Sequence, residues 1–341
     1  MRTDNMGDLL MSAPAIRALK NSFHCKITLL ASPMAAEAAN FISEIDEVII
    51  FNAPWNREHT AAAETNRLID LLRSRFFDAS IIFTVYSQNP LAAAMVVFMA
   101  GIPRRLAYCR ENPYGLLTDW IPDEEPYFNI NHQVIRDLEL VAAVGAVPQD
   151  KGLHLRLPED AWISVQKKIA GLVDLDKPWI ILHPGVSEKK REYPPDKWIA
   201  AGKQMVSKFH LQLLLTGTTS EKALVEKIQA GIGPEAYSLA GMLDLGEFIA
   251  LIGHATLVVS VNTATIHIAA ATGCPVIVLY ALTNPQHTPW GVPSKVLPFH
   301  PPEALQSKNQ VVAYVYRMIL KNIPDGASPE DIIMALEELL Q

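Results

Sequence analysis

Four short stretches combine residue types and spacings that suit chemistry on a phosphorylated ligand. Val258 to Val276 reads V-V-S-V-N-T-A-T-I-H-I-A-A-A-T-G-C-P-V, an apolar, β-branched run followed by a small, Ala-rich one. Asn262 stands where an N-cap belongs, its side-chain oxygen placed to accept the Thr265 N–H. Gly273 and Pro275 stop the helix. A helix N-terminus at the end of a parallel strand offers free N–H groups and the positive end of the macrodipole. Asn262, Thr263, Ala264 and Thr265 are small enough to admit an anion there. His183-Pro184-Gly185 leads into the cationic cluster Lys189-Lys190-Arg191. Thr216-Gly217-Thr218-Thr219, with Ser220 as N-cap and Glu221 after it, is a small polar loop entering a helix. Gly7-Asp8 opens an amphipathic helix. Each stretch also has an ordinary reading: capped helix, solvated basic loop, acidic first turn. His267 serves equally as a hydrogen-bonded core histidine.

These residues need elements to hold them, and the pattern is an alternation of strands and helices. Strands are expected at 26–31, 47–51, 79–84, 104–108, 179–182, 211–215, 237–239, 257–261 and 276–280. Helices at 9–20, 34–41, 60–76, 90–100, 132–144, 159–170, 196–209, 220–230, 245–252, 263–272, 311–320 and 329–340 separate or follow them. Such alternation predicts parallel, doubly wound sheets. Residues 112–129 read as a Pro-rich aromatic loop, and 147–157 as a linker. An α/β domain normally opens on a strand, and here almost no room precedes the first helix. Either the chain is truncated, or its start is misassigned, or residues 1–4 are a stump of that strand.

The 341 residues exceed one ordinary domain. The expected division is a Rossmann-like domain over 1–155, a second over 156–325, and a final helix at 326–341 packing back toward the first. A net charge of −7 argues against a nucleic-acid partner. Three scattered cysteines fit a reducing compartment, not a disulfide framework or zinc site. No apolar run approaches the ~20 residues of a membrane span. A cytoplasmic monomer is expected. Neither G-x-G-x-x-G nor a P-loop is present, so a nicotinamide or P-loop reading lacks its fingerprint.

The four stretches, in this order, resemble glycosyltransferase family 9, the family of lipopolysaccharide heptosyltransferases. G-D-L-L-M-S-A-P-A-I-R-A-L-K is similar to its first loop and helix, and H-P-G with K-R-E-Y-P-P-D-K-W to its donor loop. L-L-L-T-G-T-T-S-E-K is similar to its nucleotide loop, and V-N-T-A-T-I-H-I-A-A-A-T-G-C-P-V to its phosphate-binding helix. The resemblance implies a GT-B fold: two Rossmann-like domains facing across a cleft, the first strand missing or truncated here. It implies inverting, metal-independent transfer from a nucleoside-diphosphate sugar, ADP-heptose being the best-known donor, to a lipopolysaccharide or other cell-envelope glycan. The nucleotide sugar is a co-substrate and no cofactor is expected. Transient contact with the inner face of the cytoplasmic membrane would follow from a lipid-linked acceptor.

By the same resemblance Asp8 is the catalytic base, and Arg191 with Lys190 steadies the leaving diphosphate. His183, Gly185, Gly217, Thr218, Thr219, Glu221, Asn262, Thr263, Ala264, Thr265 and His267 form the donor site, with Glu221 on the ribose. Gly7, Arg57, Arg104 and Arg105 are expected at the acceptor, with Arg110 as a further cation. The family usually has Asp where this chain has Asn262, and often Gly where it has Ala264. Two readings compete: a nucleotide-sugar 2-epimerase on the same fold, and a non-catalytic nucleotide-sugar-binding protein.

Overall fold

Apolar runs too short for helices alternate with amphipathic segments, and nearly every pair becomes a buried strand with a helix over it. A computed structural model describes residues 1–56 and 61–341. Contacts divide it into Met1–Gly152 and Leu153–Gln341. No described helix is long and apolar enough to cross a membrane.

The first unit runs α1 (Met6–Phe23), β1 (Thr28–Ala31), α2 (Pro33–Ala39), β2 (Glu47–Ile50), α3 (Ala62–Ser74), β3 (Ala79–Ile82), α4 (Leu91–Met99), β4 (Arg104–Cys109), β5 (Asp119–Pro122) and α5 (Gln133–Ala142). β1 pairs with β2, and β4 lies between β3 and β5, all parallel. Residues 1 and 2 lie between these ribbons. Arg2 bridges to Ala31 in parallel and donates its N–H to the Leu30 carbonyl at 3.0 Å. The Met1 amine donates to the Ile81 carbonyl at 2.6 Å, and Phe83 N–H donates to the Met1 carbonyl at 3.1 Å. The chain thus starts mid-sheet, winds to β1 and β2 on one side, then to β3, β4 and β5 on the other. Residues 3–8 leave the carboxyl end of the sheet where the winding reverses, the place where open α/β sheets bind ligands. β5 lies inside the stretch expected to be loop. Asp119-Trp-Ile-Pro hides it, because a strand with a terminal proline is tolerated only at an edge.

The second unit runs α6 (Ala161–Ile169), β6 (Trp179–His183), α7 (Pro195–Phe209), β7 (Gln212–Leu215), α8 (Lys222–Ile232), β8 (Ala236–Ser238), α9 (Leu245–His254), β9 (Val258–Val261), α10 (Ala264–Thr272), β10 (Val276–Ala281), β11 (Ser294–Phe299), α11 (Gln310–Val315) and α12 (Pro329–Leu340). Its six strands are parallel in the order β11-β10-β9-β6-β7-β8. The central strands are buried throughout, which is why they read as continuous apolar runs. Trp198, Met205, Leu213, Val259, Ile277 and Leu336 belong to one core. β11 was not expected from the sequence. Pro298 interrupts it, and it survives because it is an edge strand. α12, expected to return toward the first domain, packs on α7, β10 and β11 of its own unit. Ser328 caps it by accepting the Asp331 N–H, with Pro329 in the first turn. The winding reverses between β6 and β9, so the loops after His183 and Val261 flank a second switch point.

Candidate active site

In the first unit Gly7 and Asp8 lie within the first turn of α1, not before it, because Asn5 is the N-cap. The Asp8 carboxylate reaches back, Oδ2 accepting the Asn5 N–H at 3.1 Å. Its other oxygen, Oδ1, lies 3.4 Å from Nη2 of Arg2, whose side chain is wholly buried. Asp4 faces the same guanidinium, Oδ2 standing 3.4 Å from Nε, and accepts from Gln88 Nε2 at 2.6 Å. Burial pushes the Asp4 carboxyl up to about 6 against the pull of Arg2, with Asp8 adding to the rise. Behind α1, Ser12 Oγ donates to Asp137 Oδ2 at 2.6 Å, and Gln133 Nε2 donates to Oδ1 at 2.7 Å. Burial also raises Asp137, against the charge of Arg2.

A second charged group lies beyond the carboxyl ends of β4 and β5. Arg136 forks onto Asp123 at 2.8 and 3.0 Å and lies over the Tyr108 ring. Arg110 donates to the carbonyls of Tyr86 (2.9 Å) and Glu125 (2.5 Å). Burial lifts Glu125 to about 7, opposed by Arg136 and the Asn131 N–H.

In the second unit three loops leave β6, β7 and β9 at their carboxyl ends. Asn262 does not make the expected cap. Its Oδ1 accepts the Ala281 N–H at 3.2 Å, and Nδ2 lies 3.3 Å from both the Ala281 carbonyl and Thr283 Oγ1. The reason is register: β9 and β10 stop pairing at Val261–Leu279, and the buried Ala281 backbone needs partners. Thr263 takes the N-cap position without a side-chain capping bond, its hydroxyl donating back to the Val261 carbonyl at 3.5 Å, so no capping side chain occupies the first turn of α10 at Ala264 and Thr265. Arg191 reaches this corner, Nη1 donating to the Asn262 carbonyl at 2.9 Å. Its Nη2 pairs with Glu188 at 2.8 Å, and its buried Nε has no hydrogen-bond partner among the described residues. Lys190 pairs with Glu188 at 3.2 Å.

The β7 loop closes on itself. Glu221 Oε2 accepts the Thr218 N–H at 2.7 Å and Thr218 Oγ1 at 2.9 Å. Thr218, not Ser220, caps the short 3-10 turn Thr219–Glu221, its extended backbone letting Glu221 reach back in a capping box, and Glu221 itself is the N-cap residue of α8. A Cβ on Gly185 would stand 2.3 Å from Glu221 Oε1, so glycine is what lets this carboxylate lie on the β6 loop. Gly217 is also close, with Glu221 Oε2 3.2 Å from where its Cβ would be. Beside them His183 Nδ1 shares a hydrogen bond with Thr216 Oγ1 at 3.0 Å. Burial presses His183 down to about 4, against the Glu221 charge, so the ring is neutral near pH 7. Thr219 is exposed above Gly241, and buried His267 lies edge-on to His287, their ring centroids 6.3 Å apart.

Small residues, backbone donors and one tethered arginine at a switch point are the groups that suit an anion, and comparison with known proteins names the family. The model of glycosyltransferase family 9 (heptosyltransferase) matches residues 65–310, well over half of the chain. The chain belongs to glycosyltransferase family 9. It is 24% identical over 297 residues to lipopolysaccharide heptosyltransferase 2 of Escherichia coli K12, covering 83% of this chain and 82% of that one. A family 9 glycosyl transferase from Veillonella parvula superposes with a TM-score of 0.78 at 16% identity, over 100% of this chain and 95% of that one. The E. coli ADP-heptose heptosyltransferase II superposes at 0.74 with 22% identity, over 99% and 97%. The chain is accordingly a glycosyltransferase built on this two-unit α/β fold.

For this family 9 chain, the structure gathers His183, Gly185, Gly217, Thr218 and Glu221 in one cluster and ties Arg191 to the Asn262 corner. It does not bring Arg104 and Arg105 to Asp8. They open β4 at its amino end, whereas Asp8 follows the carboxyl end of the sheet. Arg105 is occupied there: its guanidinium donates to the carbonyls of Leu116, Ile102, Pro103 and Gly115. Arg57 lies outside the described residues. Sequence reasoning missed Arg2 and Asp137, and nothing local marks either one: Arg2 sits two residues from the start and Asp137 on an ordinary amphipathic helix. Among the described residues no group of three or more His, Cys, Asp or Glu side chains is arranged for a metal ion.

Proposed function

We propose that this glycosyltransferase moves heptose, or a closely related sugar, from its ADP derivative to a hydroxyl of a lipopolysaccharide or lipooligosaccharide core, inverting the anomeric carbon. Family membership and the heptosyltransferase relatives support the sugar and acceptor classes. The observation that carries the donor half is Arg191 at the Asn262 carbonyl, beside the uncapped N-terminus of α10. There the diphosphate would meet the N–H groups of Thr263, Ala264 and Thr265 and the cations of Arg191 and Lys190. Their charge answers the charge that grows on the leaving group. Glu221 would take the ribose hydroxyls, with Gly217, Thr218 and Thr219 beside the nucleotide and His183 and His267 shaping the pocket.

Asp8 would act as general base. It takes the proton of the acceptor hydroxyl while that oxygen forms a bond to the anomeric carbon. The bond from that carbon to the diphosphate oxygen breaks on the opposite face, and ADP leaves with the electron pair. The nucleotide sugar is consumed as co-substrate, and no resident cofactor enters the scheme. A lipid-linked acceptor would bring the cytoplasmic chain transiently to the inner membrane surface.

Incubation with ADP-heptose, with and without a heptose-acceptor core oligosaccharide, tests this reading. Transfer only with acceptor is the expected result. Release of a 2-epimeric sugar nucleotide without acceptor would instead make the chain an epimerase. Donor binding with no turnover under either condition would make it a binding protein. UDP-, GDP- and dTDP-sugars in parallel fix the nucleotide.

A further inference from the structure

Arg2 is the residue hardest to explain by folding alone. It occupies a rung between Leu30 and Ile81, in a sheet whose other central positions are apolar, yet its side chain has no solvent exposure. A buried guanidinium is costly to desolvate, and an apolar residue of similar size usually serves stability as well or better. Arg105 spends its N–H groups on four carbonyls, and buried Arg136 forks onto Asp123 at 2.8 and 3.0 Å. Arg2 does neither. The groups that face it are the carboxylates of Asp8, Asp4 and Asp137, and neither its Nε nor its Nη1 has a hydrogen-bond partner among the described residues.

The geometry around Asp8 shows what such a cation does. One carboxylate oxygen is fixed by the Asn5 N–H and the other faces Arg2 Nη2. With both oxygens engaged from two directions, the carboxylate plane cannot turn about its last torsion. The Arg2 backbone is held by Leu30, and its Nε lies 3.4 Å from Asp4 Oδ2 as an ion contact without a hydrogen bond, Asp4 being held in turn by Gln88. We propose that Arg2 is a positioning residue, a buried fork that fixes the orientation of the Asp8 carboxylate toward the acceptor hydroxyl and acts only through it. The inference rests on the reading of Asp8 as base. It adds that the basic site is built by a three-residue relay, Gln88 to Asp4 to Arg2, that does not touch the substrate.

The test is R2K and R2M, alone and in a D8N background, with turnover, donor affinity by calorimetry and thermal midpoint measured for each. R2M is expected to lower kcat about a hundredfold and R2K about tenfold, since a point charge keeps the attraction and loses the fork. Donor Kd should stay within twofold, because the donor loops belong to the other unit. In D8N the further R2K change should cost less than twofold, since a residue acting through Asp8 has nothing left to act on. If R2M fails to fold, R2K alone decides, as it keeps the buried charge. A folded R2K within twofold of wild-type kcat overturns the proposal. So does an R2K loss that persists in full in D8N, which marks a role in the fold alone. Absence of transfer by the wild-type chain would instead overturn the proposed function, a separate outcome.

Discussion

Around Asp8 the first unit gathers buried charge, with Arg2, Asp4 and Asp137 nearby and Arg136, Asp123 and Glu125 beyond β4. Around Asn262 the second unit gathers almost none. It offers backbone amides, threonines and close-approach glycines, with Arg191 and Lys190 brought in on one loop. The difference follows from the tasks proposed for each. A base must be aimed, and charged neighbours aim it through a dry interior where their forces are strong. A diphosphate brings its own charge, so its site needs donors and room more than fixed ions.

The sharpest way to break this contrast is at Asp8. D8N keeps the size and the Arg2 contact and removes the basic oxygen. It should lower kcat by about 10²–10⁴, the usual contribution of general-base catalysis, with donor affinity unchanged. Single-turnover kinetics alongside calorimetry would show it. A variant that turns over within tenfold of wild type would place the base elsewhere.

Next in size is Arg191. R191M should cut kcat/KM for the donor by roughly 10²–10³, the loss typical of removing one stabiliser of a developing charge. K190M should cost clearly less, because Lys190 pairs with Glu188 while Arg191 is tied to the α10 corner. Steady-state rates for the pair decide it. Equal losses would mean that the loop acts as a diffuse positive charge, so that the Arg191 tether to the α10 corner carries no weight of its own.

A smaller effect is expected from G185A. The new methyl meets Glu221, the end of a flexible side chain, so the carboxylate swings away and releases the Thr218 N–H. Nucleotide affinity should fall about tenfold, or ~1.4 kcal/mol. The thermal midpoint should stay within a few degrees. Unchanged affinity would remove Glu221 from the nucleotide site.

The pattern of strands and helices was legible in the sequence because period and burial coincide. Val258–Val261 and Val276–Ala281 could hardly be anything but buried strands. Where they failed to coincide, the elements were missed: β5 and β11 carry prolines that only an edge position excuses. The candidate site residues on glycine-containing loops stand out because those loops are locally unusual, and the roles proposed for them come from their likeness to family 9. Partnerships were not visible. That Asn262 turns its amide to Ala281 depends on where a pairing register ends 19 residues later. That Arg2 meets Asp8 depends on a sheet rung assembled from three separate segments. Such pairings are decided by tertiary contact, and a single sequence does not encode them locally.

The smallest effect is the most direct comparison of the two halves, because their titrating groups have opposite signs. Glu125 is lifted to about 7 from 4.5, chiefly by burial, so the folded first unit holds a proton that the unfolded chain releases. That unit gains stability as pH falls from about 7 toward 4.5, and the raised Asp4 and Asp137 act in the same direction. His183 is pressed from 6.5 to about 4, so the folded second unit refuses a proton that the unfolded chain accepts. Its contribution is complete above 6.5 and is lost as pH falls toward 4. Thermal midpoints of wild type, E125Q and H183Q between pH 7.5 and 5 read both. As pH falls, the difference between E125Q and wild type should move in favour of wild type, and that between H183Q and wild type in favour of the variant. Movement of both differences in the same direction would mean that one of the two groups is shifted in the opposite sense, and that the charge-rich and charge-poor halves do not respond to protons in opposite ways.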